Sequence, residues 1–280
     1  MFKIINKKAL NPTVIMMDID APLVAKKAEP GQFVILRVDS DGERIPLTVA
    51  GFDREKGWVK IIFQVVGATT EKLKHLEIGD YIEDFVGPLG NKTETEWLKD
   101  VCVVGGGVGC AIAFPVAEKL FKQGCNVTNI IGFRNKDLII LEEEFKNCST
   151  NFHIMTDYGS YGEQGNVCIP LEKLLASGKH FDRIFAIGPL IMMKFVVKTA
   201  QKYNIPCTVS MNPIMIDGTG MCGGCRLTVD GKMKFACVDG PDFDGYKVDF
   251  DEMMQRNSMY AEYERKAYEQ TCNLFKKEVK

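Results

Sequence analysis

Asp217, Cys222, Cys225 and Cys237 follow one another as D-x4-C-x2-C-x11-C through a glycine-rich stretch, and these residue types at this spacing suit the holding of iron. Plant-type iron–sulfur loops carry C-x4-C-x2-C and a more distant fourth cysteine, whose thiolates hold two irons. Here a carboxylate stands where the first thiolate would be. Glycines suit such a loop because backbone N–H groups must approach sulfide closely, and glycine alone adopts φ > 0 without penalty. A cluster of this kind implies one-electron chemistry. Two other readings compete. A zinc knuckle uses four Cys or His ligands, often as two C-x2-C pairs, whereas the chain has one C-x2-C and its histidines, His75, His153 and His180, all lie outside the segment. A thioredoxin-like redox pair leaves the glycines and the third cysteine unexplained.

Other residues have types suited to phosphate. Gly105-Gly106-Gly107-Val108-Gly109 follows an apolar run and precedes a helical pattern. Glycines there let the backbone reach a pyrophosphate, while the helix N-terminus supplies N–H donors and a positive dipole. The spacing departs from G-x-G-x-x-G, so a tight packing turn is the competing reading. Gly188-Pro189, with Met192 close behind, forms a similar turn at the end of another apolar run. In the first third, Arg44-Ile-Pro46-Leu47-Thr48 places an arginine and a hydroxyl on an extended segment, able to pair with a diphosphate and a ring edge. Gly67-Ala-Thr69-Thr70 opens a helical stretch, a second anion-binding candidate through its capping hydroxyls. A solvated arginine and an ordinary capping box explain these two features one at a time. Their joint occurrence is what gives them weight.

The elements that position these residues divide the chain. Residues 1–97 hold short β-branched runs at 13–17, 32–38, 47–52 and 59–66, separated by turn residues, and predict an antiparallel β-barrel or sandwich. From 98 the pattern changes. Continuous apolar runs at 101–104, 129–133, 152–155, 183–187 and 206–210 alternate with helical patterns at 111–122, 138–147, 169–178 and 190–203. That alternation predicts a parallel sheet covered by helices over 98–210. Residues 211–250 form the cysteine segment and 251–280 a helix with a charged tail. No internal repeat is evident.

The 280 residues are 46% hydrophobic and 26% charged, with a net charge of −2. No basic block points to nucleic acid, and no run approaches the roughly 18 apolar residues that span a bilayer. The N-terminal apolar run is too short for a signal peptide. The ten cysteines fit a reducing cytoplasm rather than a disulfide scaffold. Cys102, Cys110, Cys125, Cys148, Cys168, Cys207 and Cys272 are scattered and read as core residues.

R-x-P-L-T at 44–48, G-x-T-T at 67–70, GPLG at 87–90, GGGVG at 105–109 and GPLIMM at 188–193 occur in an order that resembles the ferredoxin–NADP reductase superfamily. Within it, the chain resembles the electron-transfer subunit of dihydroorotate dehydrogenase. It is still more similar to the small subunit of NADH-dependent reduced ferredoxin:NADP oxidoreductase. The cluster segment carries that distinction: the former group has cysteine where this chain has Asp217, and the latter has aspartate. The resemblance spans essentially residues 1–250, and the cluster phrase is its most specific part.

The resemblance implies an N-terminal FAD-binding β-barrel, a Rossmann-like NAD domain and a small [2Fe-2S] module. By it, Arg44, Pro46, Leu47 and Thr48 would hold FAD, with Gln64, Val65, Thr69 and Thr70 completing the cradle. Gly105–Gly109, Gly188, Pro189 and Met192 would bind NAD(H), and Asp217, Cys222, Cys225 and Cys237 would ligate the cluster. Cys110 stands where relatives often have an apolar residue, which would bring it near the nicotinamide. Asp157-Tyr158 replaces two acidic residues. The implied activity converts hydride from a nicotinamide into single electrons, the cofactors carrying the reaction. The implied partner is a larger subunit with its own FAD and [4Fe-4S] clusters; because the sequence offers one cluster and no second acceptor site, docking is expected near the cluster loop and the C-terminal helix. Ferredoxin would be reached through that subunit, and electron bifurcation would belong to the pair. An electron-transfer subunit of dihydroorotate dehydrogenase and a zinc-stabilised, non-catalytic nucleotide-binding protein remain the alternatives.

Overall fold

The computed structural model describes residues 1–278, with side chains described as far as Cys272. Its first part is a two-sheet antiparallel barrel. Strands β1 (Phe2–Asn11) and β2 (Val14–Asp20) lead through the short helix α1 (Pro22–Ala25) to β3 (Phe33–Arg37), β4 (Ile45–Thr48), β5 (Gly51–Asp53) and β6 (Trp58–Gln64). Helix α2 (Ala68–His75), β7 (Tyr81–Ile82) and β8 (Asp84–Leu89) complete it. One sheet has the order β5-β6-β2-β1-β7 and the other β4-β3-β8. The sequence places one strand over 47–52. The structure divides it, because β4 pairs with β3 while β5 pairs with β6, and the chain crosses between sheets at Val49–Ala50.

The second part is a parallel sheet. It comprises β9 (Asp100–Gly106), α3 (Cys110–Lys122), β10 (Asn126–Phe133), α4 (Glu142–Asn147), β11 (Asn151–Thr156), β12 (Glu163–Gln164), α5 (Cys168–Ala176), β13 (Arg183–Ile187), α6 (Leu190–Lys202) and β14 (Cys207–Ser210). Val101, Val103 and Val104 of β9 are fully buried, as expected of a central strand covered on both faces. Each such side chain contributes about 1.5–3 kcal/mol. The helical pattern over 138–147 shrinks to Glu142–Asn147, because Leu141 adopts φ 58° and blocks extension backwards.

After β14 the cysteine segment makes the hairpin β15 (Arg226–Val229) and β16 (Lys232–Phe235). Strand β17 (Asp242–Asp244) then returns to pair antiparallel with β14, with Ser210 opposite Asp242. The large sheet thus reads β12-β11-β10-β9-β13-β14-β17. Helix α7 (Phe250–Ser258) packs on α6, and α8 (Ala261–Glu278) reaches back to the barrel and packs on α2. Among the described residues no helix is long and apolar enough to cross a membrane.

Barrel and sheet share a core in which Val14, Ala50 and Ile62 meet Val103, Cys110 and Ala113. Glu29 reinforces the junction, accepting from Lys119 at 3.0 Å and Arg54 at 2.6 Å. Burial works to raise its carboxyl, and the two cations outweigh burial, holding it below its ordinary 4.5. A lowered carboxylate stabilises the fold above its ordinary pKa, and that contribution is lost as pH falls through the lowered value. Water screens the pair, so the contribution is at most about 1 kcal/mol. Glu29→Gln is expected to lower the melting temperature slightly at neutral pH. The gap to the parent should close as pH falls below the ordinary range, which melting curves at stepwise lower pH would show.

Candidate functional site

Three groups of residues border the barrel. Arg44 directly precedes β4, and Pro46, Leu47 and Thr48 lie on it, half-buried opposite Ile35, Val34 and Phe33. Gln64 ends β6, and Val65 donates its N–H to the Thr13 carbonyl at 2.8 Å. Gly67 caps α2. Its N–H and that of Val66 donate to the Thr70 hydroxyl, at 3.0 and 3.1 Å. Thr70 therefore completes its own helix cap, and the free N–H groups of the first turn are what α2 can offer an anion. The Thr69 hydroxyl donates to Glu43 Oε2 at 3.3 Å, tying the start of β4 to the start of α2. Glu43 was not legible as a site residue, because an acid next to an arginine carries no signal by itself.

The second group lies at the carboxyl ends of β9 and β13, which are neighbours in the sheet. Gly105–Gly109 and Gly188-Pro189 pack face to face. A Cβ on Gly109 would stand 2.6 Å from Gly188 Cα and 2.7 Å from the Ile187 carbonyl. A Cβ on Gly106 would collide with the Met192 thioether and stand 3.2 Å from Pro189. Part of the glycine richness thus serves contact between the turns. Gly107, at φ +55° with open space around it, is the position left free for a ligand, and Val108 beside it is partly buried. Strand β6 touches this turn, so the barrel reaches the nucleotide-type edge. Cys110 is fully buried and its side chain lies under Gly105. Burial pushes its thiol well above the ordinary range, which fits a packing role.

The third group is the cysteine loop. Cys225 and Cys237 are buried, with their Sγ atoms 3.2 Å apart, while Cys222 is exposed. Burial pushes the Cys237 thiol up to about 12, and both Cys225 and the Asp217 carboxylate act in the same direction. Asp217 Oδ1 accepts from the Thr219 N–H at 2.8 Å and Oδ2 from the Cys222 N–H at 2.9 Å. These loop amides hold its carboxyl below the ordinary range against a smaller effect of burial. Gly218, Gly220 and Gly223 all have positive φ. Among the described residues no three Cys, His, Asp or Glu side chains converge in metal-binding geometry. The donors nevertheless share one small loop: three thiols, two already in contact, and a carboxylate within electrostatic reach. That donor set suits iron–sulfur ligation.

Hydrogen bonding and packing join the first and third groups. Arg44 Nε donates to the Ile216 carbonyl at 2.9 Å, one residue before Asp217. Gly218 lies against Leu89 and Ile35 of the barrel, where a Cβ would stand 2.6 Å from Leu89. Arg134 is exposed in the loop after β10, and Tyr158 is exposed beyond β11.

Residues 212–249 match the iron–sulfur cluster binding domain of dihydroorotate dehydrogenase B. The chain is 47% identical over 267 residues to a Thermotoga maritima homologue of the electron transfer subunit of dihydroorotate dehydrogenase B (NAD(+)), covering 95% of this chain and 94% of that one. It is 30% identical over 249 residues to the electron transfer subunit itself from Streptococcus pneumoniae, covering 86% of this chain and 94% of the other. Among solved structures it superposes with a TM-score of 0.91 on one described as NADH-dependent reduced ferredoxin-NADP oxidoreductase, studied for flavin-based electron bifurcation. The two are 45% identical, over 96% of this chain and 97% of that one.

Proposed function

Because the chain belongs to the family of dihydroorotate dehydrogenase B electron-transfer subunits and their homologues, we propose that it is an FAD and [2Fe-2S] electron-transfer oxidoreductase subunit that exchanges hydride with NAD(H). Its place is in a complex of the NADH-dependent reduced ferredoxin:NADP oxidoreductase kind. One observation favours that assignment over dihydroorotate dehydrogenase: Asp217 stands at the first ligand position, where the resemblance implies cysteine in dihydroorotate dehydrogenase subunits. What carries the reading is that a flavin-type cradle, a dinucleotide-type double turn and a cysteine loop all border the barrel, the turn through β6 and the loop through Arg44, Ile35 and Leu89.

When bound, the cofactors supply hydride and one-electron chemistry, and the chain aligns them. Arg44, Thr48 and the first turn of α2 at Gly67, Thr69 and Thr70 hold the flavin, with Pro46, Leu47, Gln64 and Val65 as its walls. Gly105–Gly109, Gly188, Pro189 and Met192 form the nicotinamide nucleotide site. Cys222, Cys225, Cys237 and Asp217 ligate the cluster. A carboxylate is a harder donor than a thiolate, so Asp217 tunes the cluster as well as holding it. The partner is a larger subunit with its own FAD and [4Fe-4S] clusters, through which ferredoxin is reached. Met221, Ile216 and Val238, exposed apolar side chains around the loop, support docking there.

The native protein should purify with flavin and iron–sulfur absorption that NADH bleaches, and with its partner attached. A colourless protein with stoichiometric zinc overturns the reading. A chain that elutes alone with full ferredoxin-coupled activity removes the partner. Asp217→Cys should keep iron with a shifted potential, and Asp217→Ala should lose it. Iron content and an EPR signal unchanged in Asp217→Ala would leave Asp217 as a cap for the loop amides only.

A further inference from the structure

The connection from barrel to sheet, residues 90–99, is bonded to the arm that leaves Cys237. Asn91 donates from Nδ2 to the Val238 carbonyl at 3.1 Å and from its backbone N–H to the Gly240 carbonyl at 2.7 Å. Thr93, 2% exposed, is bonded to both the barrel and the strand that follows the cluster loop. Its N–H donates to the Pro30 carbonyl of the barrel at 2.9 Å. Its hydroxyl donates to Asp242 Oδ2 at 2.6 Å. On the barrel side, Gly31 at φ +91° has no room for a Cβ, which would collide with the Thr93 hydroxyl.

Asp242 stands in β17 opposite Ser210, the last residue of β14. Burial raises its carboxyl, and hydrogen bonds from Thr93 and Ser210 oppose that rise. On its outer side the connection borders an open cavity of about 580 Å³, lined among others by Asn91, Glu94, Arg183 and Tyr246. Packing therefore restrains the connection from one side, and hydrogen bonds supply the rest. The Arg44–Ile216 bond braces the arm that enters the cluster loop. Thr93–Asp242 and the Asn91 bonds brace the arm that leaves it.

We propose that Thr93, acting through Asp242, is a positioning residue for electron transfer, fixing the separation of the flavin-holding barrel from the cluster-holding loop. The proposal rests on the reading of the chain as a flavin and [2Fe-2S] subunit. Transfer between two centres falls steeply with their separation, so a hydroxyl outside both proposed sets of cofactor-holding residues governs the rate through position alone.

The test uses the full complex carrying Thr93→Val, which keeps the side chain's shape and removes the hydroxyl, and Thr93→Ser, which restores it. Flavin and iron content and the rate of flavin reduction by NADH are expected to stay as in the parent. Cluster reduction after flavin reduction should slow about tenfold or more in Thr93→Val, within what an ångström-scale misplacement costs. The EPR line shape of the reduced cluster should change with it, and Thr93→Ser should recover both. Unchanged cluster reduction in Thr93→Val, an equal slowing of flavin reduction, or no recovery in Thr93→Ser overturns the proposal. If Thr93→Val does not fold, Thr93→Ala, which adds no bulk, decides by the same measurements. A parent complex without flavin or cluster counts against the underlying reading instead.

Discussion

Cys225→Ser is expected to yield a folded, flavin-containing protein without its cluster. Cys225 is 1% exposed and its Sγ lies 3.2 Å from that of Cys237, so the pair forms the buried half of the proposed ligand set. A serine oxygen at that position is shorter and harder than thiolate and a poor donor for iron that prefers sulfur. Losing even an outer partner of a metal ligand costs 10–100-fold in affinity, and an inner ligand costs at least about that. Iron analysis should therefore fall to background, and the visible iron–sulfur bands should vanish. Bleaching of the flavin by NADH should persist, because Gly105–Gly109 and Gly188 are untouched. Delivery of electrons to the partner should fall at least about 100-fold. The fold survives, since burying one hydroxyl costs only about 1–3 kcal/mol. Cys225→Ser with full iron and an unaltered EPR spectrum would take Cys225 out of the ligand set. Cys222→Ser, at an exposed position, should lose iron with a smaller effect on melting.

Gly109→Ala is the complementary case, with the opposite pattern of losses. The added methyl meets backbone, Gly188 Cα at 2.6 Å and the Ile187 carbonyl at 2.7 Å. Neither atom can rotate away as a side chain would, so the carboxyl ends of β9 and β13 must separate. Overpacking of this kind costs about 1–3 kcal/mol. A shift of that size lowers the melting temperature by several degrees; with several packed units present, the transition need not be two-state. The larger effect is expected on the nucleotide: if the proposed binding turn moves by about 1 Å, the cost is on the order of 100-fold. Stopped-flow reduction of the flavin by NADH should slow by that order, with cluster content intact. A normal rate of flavin reduction would show that the double turn does not bind the nucleotide.

Much of the α/β part was legible because burial on both faces leaves a plain mark. Val101–Val104 is a continuous apolar run, and the strand at 183–187 begins and ends where the pattern places it. β1 was not legible. Lys3, Asn6, Lys7 and Lys8 interrupt its apolar residues, and its place depends on backbone pairing with β2 and β7. The division of 47–52 depended on which sheet each half joins, which local composition does not encode. The cysteine loop was legible through ligand type and spacing. The braces around it were not: Asn91 reaches Val238 across 147 residues and Thr93 reaches Asp242 across 149. An Asn or Thr in a connecting segment is ordinary in composition, and only the fold shows what it holds.

The pairing of Ser210 with Asp242 has a consequence for how iron enters. Both ends of the cysteine segment are anchored as neighbours in a sheet, and Cys225 and Cys237 belong to a core with Leu227, Ala236 and Phe250. The entropy of closing that excursion is met by strand pairing rather than by metal. In a zinc finger, by contrast, binding free energy is folding free energy, and the chain unfolds when the ion is removed. Metallation here is therefore expected to be a local event on a preassembled scaffold: protein stripped of iron by a chelator should keep its far-UV circular dichroism and recover its visible bands with iron and sulfide.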